Sequence, residues 1–271
     1  MLSIKEIESY YPENLRAFKR SLMREYLQYK ILEIIFSSNH GEKLSFLGGT
    51  AIRILHGNKR FSEDLDFDNF GLTKNEFEYL AAEIVRKLKM EGYNVEIKNI
   101  FKDAYHCYVR IPGLLFDSGL SGHKEEKILI QIDTESQGFD YLPESLILNK
   151  FDVFCRIRVT QADILLSQKI FAICNRKRKM GRDFYDALLL FGKVKPNFDF
   201  LRLKMGIQDM VGLKKQLLSL CKELDFRALS RDVEPFLFSA IEAKKVLAFP
   251  DFIKQLSDEK VRTTLLTNLF L

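Results

Sequence analysis

Apolar residues recur at three- and four-residue spacing along NLRAFKRSLMREYLQYKILEIIFSS, residues 14 to 38, with no Pro or Gly to interrupt them, so a long amphipathic helix is predicted. KLSFLGG follows as a short buried strand running into a glycine turn. TAIRILHG then reads as a short helix, with Thr50 near its N-terminus and Gly57 at its stop. In DLDFDNF the period changes to two, which fits a strand with acids on one face and apolar groups on the other. TKNEFEYLAAEIVRKLKMEG returns to helical spacing, opened by Thr73 with Glu76 in the capping-box position and closed by Gly92. NVEIKNIFK, AYHCYVRIPGL and KILIQIDTE are three further strands. The expected first domain, residues 1–145, is a helix-flanked mixed sheet.

From about Leu146 the pattern changes. LILNKFDVFCRIRVT reads as a connecting, extended piece, after which ADILLSQKIFAICNRK, RDFYDALLLFGK, LKMGIQDMVGLKKQLLSLCKEL and FSAIEAKKVLAFPDFIKQL are all helical in spacing. Residues 146–271 are therefore expected to form an α-helical domain, and the whole an α/β (α+β) protein. There is no internal repeat and no low-complexity tract.

Composition leaves this picture intact. With 46% hydrophobic and 29% charged residues over 271 positions, the chain can bury a substantial core. No run approaches a membrane span, and MLSIKEIESYYPENLRAFKR lacks a signal-peptide core, so a cytoplasmic protein is expected. Cys107, Cys155, Cys174 and Cys221 are scattered without a C-x-x-C pair, which supports neither a zinc site nor a disulfide framework. His40, His56, His106 and His123 are equally dispersed, and catalysis is not expected to rest on imidazole. The net charge of +5 is mild but uneven: Arg176, Lys177, Arg178, Lys179 and Arg182 fall within NRKRKMGR. That segment is either a solvated helix end or a contact surface for a polyanion such as RNA or a triphosphate.

The chemistry is concentrated upstream. Asp64 and Asp66, two residues apart, would present both carboxylates on one strand face about 7 Å apart, a geometry that suits a divalent cation such as magnesium or manganese. Asp68 continues the alternation, so register alone does not choose which two of the three are ligands; solvated acids on an edge strand are the plainer reading. Asp133, at the end of an apolar strand, is the candidate third carboxylate, since an acid there is costly unless paired or ligating. Gly48 and Gly49 permit close backbone approach, and the helix beginning at Thr50 offers free amides and a positive dipole end to a phosphate.

GGTAIR, RFSEDLDF, LLSQKIFAI and RDFYDALLL together resemble the AbiEii-type nucleotidyltransferases, the toxins of type IV toxin–antitoxin and phage abortive-infection systems, within the DNA polymerase β-like superfamily. The matching positions span residues 48 to 186. The resemblance implies nucleotide contact by Gly48, Gly49 and Thr50, with Arg53 on the same helix, and matches Arg60 and Ser62 to the R-x-S before the acids. It makes Asp64 and Asp66 the metal pair rather than Asp68. It matches Lys169 to a lysine facing the triphosphate, where a snorkelling surface lysine is the plainer reading. It puts Arg182, Asp183 and Asp186 in an R-D-x-x-D in which Asp186 orients Lys169 or substrate while Asp183 pairs with Arg182. Phe184 and Tyr185 read as core.

The expected activity is metal-dependent transfer of a nucleoside monophosphate from a nucleoside triphosphate to an acceptor hydroxyl. Asp64, Asp66, Asp133, Lys169 and Asp186 would be catalytic, and Arg176 to Arg182 would dock the acceptor. The resemblance suggests that the acceptor is RNA, at a tRNA 3′ end, and that a cognate antitoxin exists, often a winged-helix repressor. Protein nucleotidylation, kinase activity and a non-catalytic nucleotide-binding module are the alternatives.

Overall fold

The computed structural model describes residues 1–102 and 104–256. It divides into one unit, Met1–Gln161, and a second that begins at Ala162.

The first unit contains α1 (Ile4–Ser9), α2 (Lys19–Phe36), β1 (Leu44–Leu47), α3 (Gly48–His56), β2 (Leu65–Asn69), α4 (Lys74–Met90), β3 (Glu96–Phe101), β4 (Tyr105–Pro112), α5 (Leu114–Asp117), β5 (Lys127–Glu135), β6 (Glu144–Lys150) and β7 (Val153–Val159). Seven strands form one mixed sheet in the order β3-β4-β5-β2-β1-β7-β6. The central strand β2 runs antiparallel to β1 and parallel to β5, while β4 pairs antiparallel with both β3 and β5.

Alternation along β4 and β5 sets the two faces. Cys107, Val109 and Ile111 on β4 and Ile128, Ile130 and Ile132 on β5 are buried, on the face covered by α2 and α4. Their neighbours in sequence point the other way and keep solvent contact. The capping box of Thr73 and Glu76 opens α4, as its sequence predicts, and Gly57 ends α3 in the left-handed region.

The stretch expected to be a connector instead forms the hairpin β6–β7, which extends the sheet next to β1. Its two-residue turn, Phe151 and Asp152, contains none of the glycine or asparagine that usually marks such a turn, yet Phe151 has φ 59°. The Phe151 ring packs against Tyr10, Tyr11, Tyr26 and Tyr29, at centroid distances of 4.9 to 6.0 Å, and this burial offsets the backbone cost.

The second unit is helical: α6 (Ala162–Asn175), α7 (Gly181–Phe191), α8 (Phe198–Met205), α9 (Met210–Cys221), α10 (Phe226–Val233), α11 (Lys244–Leu247) and α12 (Phe249–Gln255). The expected helix from Leu203 onward is two, because Gly206 caps α8 in the left-handed conformation and Asp209 starts α9 with a side-chain cap. Phe184 is fully buried, edge-on to Phe226 and Phe249, and Tyr185 is buried beside it, so both are core residues as predicted. Gly181 has no side chain because α10 lies too close: a Cβ there would overlap the Leu229 carbonyl.

Candidate active site

The acids are organised by sheet register. Asp66 on β2 lies between Leu47 on β1 and Asp133 on β5, and Asp133 lies in turn beside His106 on β4. Residues in register share a sheet face, so His106, Asp133 and Asp66 form one row on the face opposite α2 and α4. Asp64 precedes β2 by one residue, and the segment leading to it is tied down from two sides. Gln28 of α2 donates to the Ser62 and Glu63 carbonyls, each at 3.0 Å, and the Thr50 hydroxyl donates to the Asp64 carbonyl.

Helix α3 starts at Gly48, two residues earlier than its sequence suggests, so both glycines lie in the first turn, where backbone amides have no intrahelical acceptor. Gly48 has φ 79°, and a Cβ there would overlap the Asp66 carboxylate. At Gly49 a Cβ would stand 2.5 Å from the Arg60 guanidinium and 2.8 Å from the Ser62 hydroxyl. The glycine pair therefore brings a helix N-terminus directly against the acid row, with Arg60 and Ser62 packed beside it. Thr50 is wholly buried and serves to anchor the acid segment.

Asp133 is braced. His106 Nδ1 is 2.7 Å from its Oδ1, and the Gln131 amide donates to both carboxylate oxygens at 2.9 and 2.8 Å. Sequence reasoning gave His106 no part here. Only the β4–β5 register sets it opposite Asp133, and the long link between those strands hides that register from the sequence. Asp68 is buried, and its Oδ1 accepts from the Gln137 amide at 2.8 Å, which fixes the loop after β5.

Arg53 was expected at a triphosphate. Its Nε donates to Glu25 Oε2 at 3.0 Å and its Nη1 to the Asn58 carbonyl at 3.1 Å, so the guanidinium braces α3 against α2. Glu25 also accepts from Lys150 at 3.0 Å and from the Tyr11 hydroxyl at 2.8 Å. Burial acts to raise the Glu25 carboxyl pKa, but Arg53, Lys150 and Tyr11 together outweigh it and hold it below the usual carboxylate value.

In the second unit, Lys169 Nζ on α6 is 3.0 Å from Asp183 Oδ1 and 2.9 Å from Asp186 Oδ2 on α7, and both carboxylates are buried. Asp183 was expected to pair with Arg182; it binds Lys169 and Arg176 instead, the latter at 2.9 Å. The basic loop is partly tied to the protein. Lys179 donates to the Cys174 carbonyl at 2.8 Å, and Arg178 lies 3.5 Å from Asp232, while Lys177 is exposed and Arg182 is half-buried on α7.

The four cysteines are unpaired thiols, and burial pushes Cys107 up to about 12. No helix among the described residues is long and apolar enough to cross a membrane.

Comparison with known proteins gives this geometry a context. The family model described as nucleotidyl transferase AbiEii toxin, type IV toxin–antitoxin system, matches residues 30–253. No curated protein matches the chain. Among solved structures, JHP933 from Helicobacter pylori superposes with a TM-score of 0.51 at 17% identity, covering 86% of this chain and 91% of that one. A second H. pylori structure, described as that of a candidate nucleotidyltransferase, superposes with the same score and identity, covering 86% of this chain and 94% of its own. At that identity the likeness concerns the fold.

Proposed function

Proceeding from the premise that this chain belongs to the AbiEii nucleotidyl transferase toxin family of type IV toxin–antitoxin systems, we propose that it moves a nucleoside monophosphate from a nucleoside triphosphate to the 3′ hydroxyl of an RNA, of the tRNA class, in a reaction dependent on magnesium or manganese. The family implies a nucleotide substrate and an antitoxin partner. The observation that carries the reading is the contact of Gly48 with the Asp66 carboxylate, because it joins an anion-binding helix N-terminus to a row of acids.

The residues fit a hard divalent ion. Asp64, Asp66 and Asp133 offer only oxygen donors, and the missing side chain at Gly48 lets the Asp66 carboxylate lie against the first turn of α3. Among the described residues no three such groups are gathered into a preformed cage. A magnesium site built on one or two carboxylates and the substrate's own phosphates does not require one. We assign Asp64 and Asp66 as the ligands and Asp133 as the third acid. When bound, the ion offsets triphosphate charge and makes the attacking hydroxyl more acidic.

In the proposed step the acceptor oxygen bonds to the α-phosphorus in line, the bond to the bridging oxygen breaks, and pyrophosphate leaves. Asp133, held by His106 and Gln131, takes the hydroxyl proton. The first-turn amides of α3 seat the phosphates and Ser62 lies beside them. Lys169, oriented by Asp186 and Asp183, supplies a cation to the triphosphate, and Lys177 and Arg182 are the acceptor contacts of the basic loop. Arg53 acts through α3, as its bond to Glu25 supports.

The test is transfer of label from each α-labelled nucleoside triphosphate to total RNA by purified wild type, Asp64→Ala and Asp66→Asn proteins. Each substitution should reduce transfer by more than about a hundredfold, the upper range for loss of a mere supporting partner of a metal ligand, at an unchanged melting temperature. Transfer retained at the wild-type rate in either folded variant would overturn the assignment.

A further inference from the structure

We propose that the open face of β3, β4 and β5 is the seat of the acceptor strand, binding the single-stranded 3′ end of RNA through Tyr108, Lys98 and Arg110. The inference rests on the transfer reaction above for its biological meaning but not for its test.

The sheet register places these residues beside the acids. Lys98, Tyr108 and Gln131 occupy one row across β3, β4 and β5, and the next row along the strands contains Ile100, His106, Asp133 and Asp66. The two rows are two residues apart, about 7 Å, which is close to the spacing of successive nucleotides in an extended strand. A base stacked at Tyr108 would thus leave the following nucleotide at the carboxylates.

The side chains themselves suit that occupant. Tyr108 is half-exposed on the face opposite α2 and α4, and the Arg110 guanidinium lies over its ring, 5.7 Å from the centroid, so an aromatic surface and a cation are held together. Lys98 is exposed and stands opposite Tyr108 on β3, and Leu129, 40% exposed, adds apolar surface next to Arg110. Glu96, the acid in the row of Arg110, is 2.7 Å from Lys127, so on the side of Tyr108 away from Asp133 and Asp66 the cations Lys98 and Arg110 are available to phosphates. Aromatic faces interleaved with cations bind single strands without reading sequence, because every base has a π-face and every nucleotide a phosphate. A protein partner would call for a larger apolar patch than one leucine and one ring supply.

The experiment measures binding of a fluorescent ten-nucleotide single-stranded RNA by anisotropy, with neither nucleotide nor metal present. Tyr108→Ala should weaken binding by roughly tenfold, the range expected when one stacking ring is removed, and Tyr108→Phe, which keeps the ring, should bind as wild type does. Replacing Lys98 and Arg110 together by Ala should weaken binding further and make the slope of log affinity against log salt shallower by about 1.4, from roughly 0.7 for each lost phosphate contact. Unchanged affinity in all three variants would overturn the proposal, as would an equal loss in Tyr108→Ala and Tyr108→Phe. Because binding is read without chemistry, absence of label transfer by the wild type would sink the proposed reaction and leave this result to be judged by itself. Transfer by the wild type, with RNA binding unaltered in the variants, would sink the platform alone.

Discussion

At the scale of single residues, the glycine pair carries most of the information. A Gly-Gly ahead of a helix was legible as a point of close approach, and the family resemblance turned that approach toward phosphate. The structure adds a reason internal to the protein: Gly48 lies against Asp66, and Gly49 lies against Arg60 and Ser62. Gly48→Ala meets both a left-handed backbone and the Asp66 carboxylate, so it should cost about 1–2 kcal/mol from the backbone alone, with a further cost from displacing the acid. The expected outcome is a melting temperature lower by several degrees and loss of the stabilisation conferred by nucleoside triphosphate, both read by thermal denaturation with and without ligand. A variant that melts and responds to nucleotide as wild type does would contradict this role. His106 shows the opposite case. Its link to Asp133 depends on strand register, which no spacing in the sequence encodes.

At the scale of elements, strongly periodic segments were legible, and segments defined by long-range contacts were not. α4 has its capping box and left-handed stop in the sequence itself. The β6–β7 hairpin has no such signal, because its turn is held by four tyrosines distant in sequence. It is also held by Lys150, at its tip, bonded to Glu25 in α2. Glu25 thereby joins α2, α3 and β6, and its carboxyl titrates below the ordinary value. A depressed folded pKa means that this stability is present above the unfolded carboxyl value of about 4.3 and is lost as pH falls through the lower folded value. Glu25→Gln should therefore lower stability at pH 7 by about 3–5 kcal/mol, since Arg53 and Lys150 lose their buried counter-charge. Its stability should also fall less steeply than that of wild type below pH 4. Denaturant titrations at pH 7 and at about pH 3 check both points, and parallel pH profiles for the two proteins would rule out Glu25 as the titrating hub.

At the scale of the whole molecule, a helix-flanked mixed sheet followed by helices was legible from the change in hydrophobic period, while the chain's division was not. The sheet extends past Leu146 through the hairpin, and the second unit begins only at Ala162. Membership of the AbiEii nucleotidyl transferase family rests on residues 30–253, and both matched H. pylori structures support the fold. What the fold is used for rests on the acids beside α3, and a single comparison addresses it. Purified protein is incubated with total RNA, a divalent metal and the same nucleoside triphosphate labelled at either the α- or the γ-phosphate. The account predicts label on RNA from the α-labelled nucleotide, none from the γ-labelled one, and release of labelled pyrophosphate from the latter. Label transferred from the γ-phosphate, or α-label found on protein and not on RNA, would contradict it.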